Sequence, residues 1–176
     1  MLGGYGLTLL YASSFFYAIF ESLNQGLNVL VSTAYGSQRY SLCGIYLHRS
    51  FFVLPPFLLI SGLALFFSEE IMVACGIEAD LAAYAGELNR KIIPGYFCYL
   101  IFDSLRAFVG AQKVFYPILY INITTLALHI FWAWLFIIKL GYGISGVAYA
   151  RICEEIANCL LMYTYIKLSG KFTEAF

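Results

Sequence analysis

The chain has 176 residues, of which 62% are hydrophobic, 19% are aromatic and only 11% are charged. A soluble domain has about 45–50% apolar and about 25% charged residues, so this chain has too little charge to cover the surface of a soluble domain. Its ten basic and ten acidic side chains leave no net charge, which excludes the basic field of a nucleic-acid-binding protein. The composition therefore indicates a polytopic membrane protein.

Five stretches are apolar enough to cross a bilayer, and they predict an all-α bundle of about five transmembrane helices within one membrane domain, residues 1–176. In chain order they cover residues 5–34, 51–67, 92–112, 114–138 and 144–166. The fourth stretch has no Asp, Glu, Lys or Arg, and as a helix it exceeds the ~30 Å of hydrocarbon core. The second contains Pro55 and Pro56, which predicts a bent, peripheral helix. We expect an integral protein of the plasma membrane or an organelle membrane.

Charged and turn-forming residues lie between these stretches, at residues 35–49, 68–91, 112–113 and 139–143. Residues 78–87 are expected to form a short interfacial helix, because the following Pro94 suits only a helix start or a kink. Five basic residues fall on one side of the predicted topology: Arg39, Arg49, Lys113, Lys167 and Lys171. The positive-inside rule places that side in the cytoplasm and the N-terminus outside.

Polar residues recur at helical spacing inside four of the five stretches. Separations of three, four and seven residues put each set on one face of its helix. We call these sets polar stripes; they are Glu21, Asn24, Gln25, Asn28 and Ser32 in the first stretch, Tyr96, Tyr99, Asp103 and Arg106 in the third, Asn122, Thr125 and His129 in the fourth, and Arg151, Glu154, Glu155 and Asn158 in the fifth.

The polar stripes predict a shared polar interior. A charge at the bilayer centre costs about 2.5–3.5 kcal/mol on insertion scales, so it normally faces protein or a water-filled cavity. A carboxylate in a partly dry cavity favours its protonated form, and once ionised it attracts a cation. The alternative is that these side chains only pair across the bundle as packing contacts. The candidate pathway residues are Glu21, Asn24, Asn28, Tyr99, Asp103, Arg106, Asn122, His129, Arg151, Glu154 and Glu155.

Arg151 is predicted to hold one of the two adjacent acids in the fifth stretch. Glu154 and Glu155 are separated by about 100° around a helix, so they point in different directions. Arg151 precedes them by three and four residues. We expect an ion pair between Arg151 and Glu155, with Glu154 left freer to bind a proton.

Other kinds of site are not indicated. His48 and His129 stand far apart and outside any metal-ligand spacing, and the five cysteines form no CxxC. The sequence contains neither a phosphate-binding loop nor a nucleophile elbow. We therefore expect no enzyme activity, no metal, no cofactor and no nucleic-acid partner.

Several segments resemble the multidrug and toxic compound extrusion (MATE) family in the right order and at the right separations. Residues 32–38, STAYGSQ, and 44–50, GIYLHRS, are similar to the connection between its second and third helices. Residues 93–97, IPGYF, and 105–112, LRAFVGAQ, resemble its fourth helix. Residues 129–148 are similar to its fifth and sixth helices. The sequence departs from the family pattern at Asn28, where many members have a carboxylate, and at Thr33, where a glutamine is usual.

The resemblance implies a twelve-helix antiporter built of two six-helix lobes. Such a protein exports organic cations, other xenobiotics or metabolites in exchange for H⁺ or Na⁺. This chain would supply helices two to six of the N-terminal lobe, with the first helix and the second lobe as missing partners, and it is expected to be inactive alone. Two alternatives stay open: a lipid-linked oligosaccharide flippase, whose cavity would be more cationic, and a non-transporting membrane subunit.

Overall fold

The computed structural model describes residues 2–170 and residue 172, and in this part of the chain it contains helices and no strand. The α-helices are α1 (Leu2–Ala12), α2 (Ala18–Gly36), α3 (Tyr40–Phe66), α4 (Ser68–Ala74), α5 (Ala79–Ala111), α6 (Tyr116–Ala133) and α7 (Gly143–Leu168). The π-helical segment Ser13–Tyr17 joins α1 to α2, and a second one, Trp134–Lys139, extends α6. The predicted all-α bundle is confirmed.

Four helices of the described chain are long and apolar enough to cross a membrane. They are Gly3–Gly36, Tyr40–Phe66, Ala79–Ala111 and Tyr116–Lys139. The fifth predicted stretch lies within α7, whose 26 residues extend about 39 Å, which also exceeds the hydrocarbon core. Three charges near its middle, at Arg151, Glu154 and Glu155, set α7 apart from the other four. Helix α7 packs against α5 and α6 inside the bundle.

Two connecting segments differ from the prediction. Helix α3 begins at Tyr40, so the first connection is only the turn at residues 37–39. Arg49 lies on the exposed side of α3, whereas Leu47 is buried. The helix therefore includes the charged Arg49 without burying it. The prediction of a separate short helix over residues 78–87 is wrong, because these residues belong to α5 and its N-terminal cap. The short helix of this region is instead α4.

Helix α5 forms the centre of the bundle. It packs against α1, α2, α3, α4 and α7, and it continues through Pro94. Next to the proline, Gly95 lets α7 approach closely, since a Cβ on Gly95 would lie 3.3 Å from the Cα atom of Ile152. Packing against its neighbours thus compensates for the hydrogen bond that a proline removes from a helix interior.

Two hydrophobic clusters enclose the polar residues along the bundle. One surrounds Phe16, Phe20 and Tyr96. The other surrounds Val31 and Phe108. On α2, Asn24 falls between the two clusters, and on α5, Asp103 and Ser104 lie where the second cluster begins. The surrounding apolar packing fixes the helix positions that the polar contacts need.

Gly146 marks the closest approach of α7 to the end of α6. A Cβ at this position would lie 2.9 Å from the carbonyl oxygen of Phe136, a backbone atom that cannot rotate away. We expect Gly146→Ala to destabilise the protein by about 1–3 kcal/mol, as overpacking does, and to lower Tm in circular dichroism in detergent. Gly26→Ala is the matched control, because a Cβ added to Gly26 would have no neighbouring atom within 4 Å. An unchanged Tm for Gly146→Ala would contradict this packing.

Candidate functional site

A buried carboxylate joins α2 to α5 in the middle of the bundle. Asn24 donates from Nδ2 to Asp103 Oδ2 over 2.6 Å, and Ser104 Oγ donates to Asn24 Oδ1 over 3.1 Å. Arg106 donates to Asp103 Oδ1 from Nε, at 2.9 Å, and from a terminal nitrogen. Asp103 is 1% exposed. We call Asn24, Asp103, Ser104 and Arg106 the Asp103 group; in it both carboxylate oxygens are fixed by donors.

Asn24, Asp103 and Arg106 of the Asp103 group line a polar cavity of about 450 Å³. Helices α2 and α5 supply most of the lining, and residues at the start of α6 complete it. The lining residues are Glu21, Asn24, Gln25, Asn28, Asp103, Arg106, Ala107, Gly110, Phe115 and Ile118. The polar stripe of α2 therefore faces the polar stripe of α5 across one space.

The cavity carries one negative charge in excess. Arg106 balances Asp103. Glu21 lines the same cavity, is exposed, and forms no ion pair within 4 Å with the described residues. An uncompensated carboxylate next to a fixed ion pair makes this cavity attractive to a cation.

A second ionic cluster, the Arg151 group, lies on α7 and reaches α6 and the π-helical segment before α2. Arg151 Nη1 donates to Glu154 Oε2 at 2.8 Å, and Nη2 lies 2.7 Å from Glu155 Oε1. Glu154 Oε2 is also 3.0 Å from His129 Nδ1, an ion pair when the imidazole is protonated. The Arg151 group comprises Tyr17, His129, Arg151, Glu154, Glu155 and Asn158.

The predicted division of roles between the two acids is partly wrong. The Arg151–Glu155 pair exists, but Glu154 is not left without a partner, because the forked guanidinium bonds both carboxylates. The two acids differ in burial instead: 3% of the Glu155 side chain is exposed and 12% of the Glu154 side chain. Asn158 Nδ2 donates to Glu155 over 3.4 Å and so adds to its fixation.

Sequence and fold comparisons point to a single family. The model of the MatE family matches residues 1–135. The chain belongs to the MatE family. Among curated relatives from Arabidopsis thaliana, Protein DETOXIFICATION 36 is 30% identical over 149 residues, which are 85% of this chain and 30% of the relative. Protein DETOXIFICATION 16 is 29% identical over 143 residues, or 81% of this chain and 29% of the relative.

A solved structure has the same fold. The eukaryotic MATE transporter AtDTX14 superimposes with a TM-score of 0.94 at 22% identity, over 99% of this chain and 39% of that chain. The chain thus spans about a third of the length of the family members that it matches. Together with the apolar helices, the family match makes this an integral membrane protein of a transporter family, and the resemblance seen in the sequence is confirmed.

The MatE fold brings most of the predicted residues into two groups rather than one shared interior. Asn28 lines the cavity on α2, whereas His129 and the acids of α7 lie in the Arg151 group. Asn122 is exposed, and its side chain forms no hydrogen bond to either group among the described residues. Thr125 donates to carbonyl groups of its own helix, so α6 joins the ionic residues mainly through His129.

Two tyrosines connect the two groups. The rings of Tyr17 and Tyr99 meet edge to face with their centroids 4.8 Å apart. Tyr17 accepts a hydrogen bond from Arg151 Nη2 over 3.3 Å, and Tyr99 precedes Asp103 by one turn on α5. Tyr99, one of the candidate pathway residues, therefore lies between the Asp103 group and the Arg151 group.

Sequence reasoning missed Tyr17 and Ser104. Tyr17 stands four residues before Glu21 and seven before Asn24, so it continues the polar stripe of α2, but it follows Phe15 and Phe16 directly and reads as part of an aromatic run. It also ends a π-helical segment, a feature that often marks functional sites. Ser104 gives no such signal, because its partner Asn24 lies 80 residues away along the chain.

Proposed function

We propose that this chain forms part of a secondary antiporter that exports organic cations, or other xenobiotics and metabolites, in exchange for H⁺ or Na⁺. The polar cavity between α2 and α5 is its proposed substrate site. The observation that carries the proposal is the excess negative charge of that cavity, contributed by Glu21 beside the balanced Asp103–Arg106 pair.

The dimensions and lining of the cavity suit a small organic cation. Its volume of about 450 Å³ falls within the ~300–1,000 Å³ of small-molecule sites. Phe115 and Ile118 offer an apolar wall, and the amides of Gln25 and Asn28 offer neutral polar groups. An amphiphile with one positive charge would meet Glu21 while its apolar part packs on α6.

A complete transport cycle is proposed to need more of the protein than this 176-residue chain. Secondary transporters move one repeat or bundle against another around a site near the membrane midplane. The chain spans 30% of DETOXIFICATION 36 and 39% of AtDTX14, so the moving counterpart is proposed to come from the rest of such a protein. On this basis the 176-residue chain should insert into a membrane and bind a cation without exporting it.

The two alternatives are less well supported. A flippase for a lipid-linked oligosaccharide would use a more cationic cavity, whereas this cavity has a negative excess and the relatives are MATE proteins. A non-transporting subunit would have polar stripes that neutralise one another fully. Arg106 and Arg151 do neutralise acids, but Glu21 facing an open cavity does not fit that expectation.

Ethidium, a fluorescent organic cation, tests the cavity directly. Glu21→Gln should weaken ethidium binding to the detergent-purified chain about tenfold, which corresponds to about 1.4 kcal/mol for one charge in a partly dry cavity. Because Glu21 is exposed and has no ion-pair partner among the described residues, folding should be unaffected. Binding is measured by fluorescence titration at low and high salt.

Glu70→Gln is the matched control, since Glu70 is an acid on α4, outside the cavity. It should bind ethidium as the unmodified chain does. Equal ethidium affinities of Glu21→Gln and Glu70→Gln would contradict the proposed site. Ethidium binding to the unmodified chain that does not weaken with added salt would contradict it as well.

A further inference from the structure

A second, apolar groove lies between α3, α5 and α7. Of these helices only α5 also lines the polar cavity, and it does so with other residues. Its volume is about 670 Å³. Its walls contain only apolar and aromatic side chains between its ends, among them Leu54, Pro55, Leu58, Phe97 and Ile101. Unlike the polar cavity, it has no carboxylate among its lining residues, so it is not a site for a cation.

The groove has the length of one membrane leaflet. Along α3 it extends from Leu47 to Leu58, eleven residues or about 16 Å of helix. This is about half of the ~30 Å hydrocarbon core. Exposed side chains on its rim, such as Pro55 and Phe97, leave it open to the lipid side of the helices.

One end of the groove is basic. Lys167 lines it one residue before the end of α7, and His48 lines it from α3. Lys167 is exposed, and its Nζ lies 5.9 Å from the centre of the Tyr163 ring, which is also part of the groove. A lysine placed in this way rests its stem on apolar surface while its ammonium group reaches the membrane interface.

The basic end lies on the side of the membrane that the Lys and Arg distribution predicts to be cytoplasmic. Arg39, Lys113 and Lys167 are all at helix ends on this side. The cytoplasmic leaflet carries the anionic lipids, and each basic residue near its surface attracts them with about 1 kcal/mol. The basic end of the groove and its length therefore both favour a lipid of the cytoplasmic leaflet.

We propose that this groove binds an anionic phospholipid of the cytoplasmic leaflet. One acyl chain lies along α3 between Leu47 and Leu58, and the phosphate contacts the ammonium group of Lys167. The site is separate from the substrate cavity, so this inference does not depend on the proposed antiport function.

Lipid retention, measured by native mass spectrometry, tests whether the charge of Lys167 selects an anionic headgroup. The purified 176-residue chain is incubated with equal amounts of phosphatidylglycerol and phosphatidylcholine that have identical acyl chains. We expect about fivefold preferential retention of phosphatidylglycerol, consistent with about 1 kcal/mol from one lysine. Lys167→Gln should abolish the preference, and Lys167→Arg should keep it.

Lys139→Gln is the matched control for charge. Lys139 also lies over an aromatic ring, at 5.8 Å from the centre of Trp134, but it ends the π-helical segment after α6, on the opposite side of the membrane. Its replacement should leave the preference unchanged. Equal retention of the two lipids by the unmodified chain, or an equal loss of preference in both glutamine variants, would overturn the proposal.

Filling the groove tests the acyl-chain site. Ile101→Trp on α5 and Leu58→Trp on α3 should each reduce retention of both phospholipids several-fold. Because the two substitutions are on different helices, the test still works if one of the two variants fails to fold. Leu126→Trp, on the exposed face of α6, should not. If groove-filling variants that melt like the unmodified chain retain as much lipid as Leu126→Trp, or if the unmodified chain instead forms a lipid-free dimer, the groove is not a phospholipid site.

Discussion

Arg151→Gln should remove about 3 kcal/mol from the free energy of unfolding, one of the two largest effects expected for this chain. Arg151 bonds both Glu154 and Glu155, and 3% of the Glu155 side chain is exposed. Taking away one partner leaves an uncompensated buried charge, which costs about 3–5 kcal/mol. The lower value applies because 36% of the arginine side chain is exposed. Denaturant titration in detergent, followed by circular dichroism, measures the loss.

Two further variants show whether the stranded charge causes this loss. The double variant Arg151→Gln/Glu155→Gln should recover most of the stability, because the deeper carboxylate no longer lies buried without a partner. Arg90→Gln should cost less than about 1 kcal/mol, because the Arg90–Glu69 pair between α5 and α4 is about one third exposed. A double variant no more stable than Arg151→Gln would show that the arginine acts through packing.

Local regularities made the helices and the Arg151–Glu155 pair predictable. A charge-free run longer than the hydrocarbon core can hardly be anything but a membrane helix, and this identified α6. Residues four apart on a helix are neighbours whatever the rest of the chain does, so Arg151 and Glu155 could be paired from their spacing alone.

Contacts that depend on the packing of distant helices were not predictable in the same way. The bond from Asn24 to Asp103 joins residues 79 positions apart, and no local pattern specifies that α2 and α5 present these two faces to each other. Continuation of α5 through Pro94 is a similar case. Local chemistry favours a helix start or a kink there, but the close contact of Gly95 with α7 adds a tertiary interaction that the local rule omits.

The burial and contacts of their acids predict different roles for the Asp103 group and the Arg151 group. Asp103 is 1% exposed, and both its oxygens are held by donors. Glu154 lies at the edge of the Arg151 group, more exposed than Glu155 and adjacent to His129, a second group that can bind a proton. Within the proposed antiport function, Glu154 is therefore the better candidate for the exchange of a coupling ion, and Asp103 for holding the cavity in shape.

Glu154→Gln should abolish gradient-driven export, the other of the largest effects. The measurement uses a chimera in which this chain replaces the matching part of DETOXIFICATION 36, with ethidium efflux from energised vesicles as the readout. A neutral amide cannot exchange a coupling ion, so the initial rate should fall at least about tenfold, or about 1.4 kcal/mol in the barrier. Folding should be retained, because Arg151 keeps its 2.7 Å contact with Glu155.

Glu155→Gln is the matched control for this variant, since it removes the adjacent carboxylate and leaves Arg151 and His129 paired with Glu154. It should lower stability while preserving most of the gradient-driven efflux by the folded fraction. Equal loss of efflux in both variants would mean that the Arg151 group serves packing rather than coupling. If both variants transport normally, and Glu21→Gln and Asp103→Asn do so too, then the polar stripes are packing contacts and the substrate pathway lies elsewhere. A chimera that transports only with Glu154 intact would instead place the ion-exchange step on α7, with the Tyr17–Tyr99 pair between it and the proposed cation cavity.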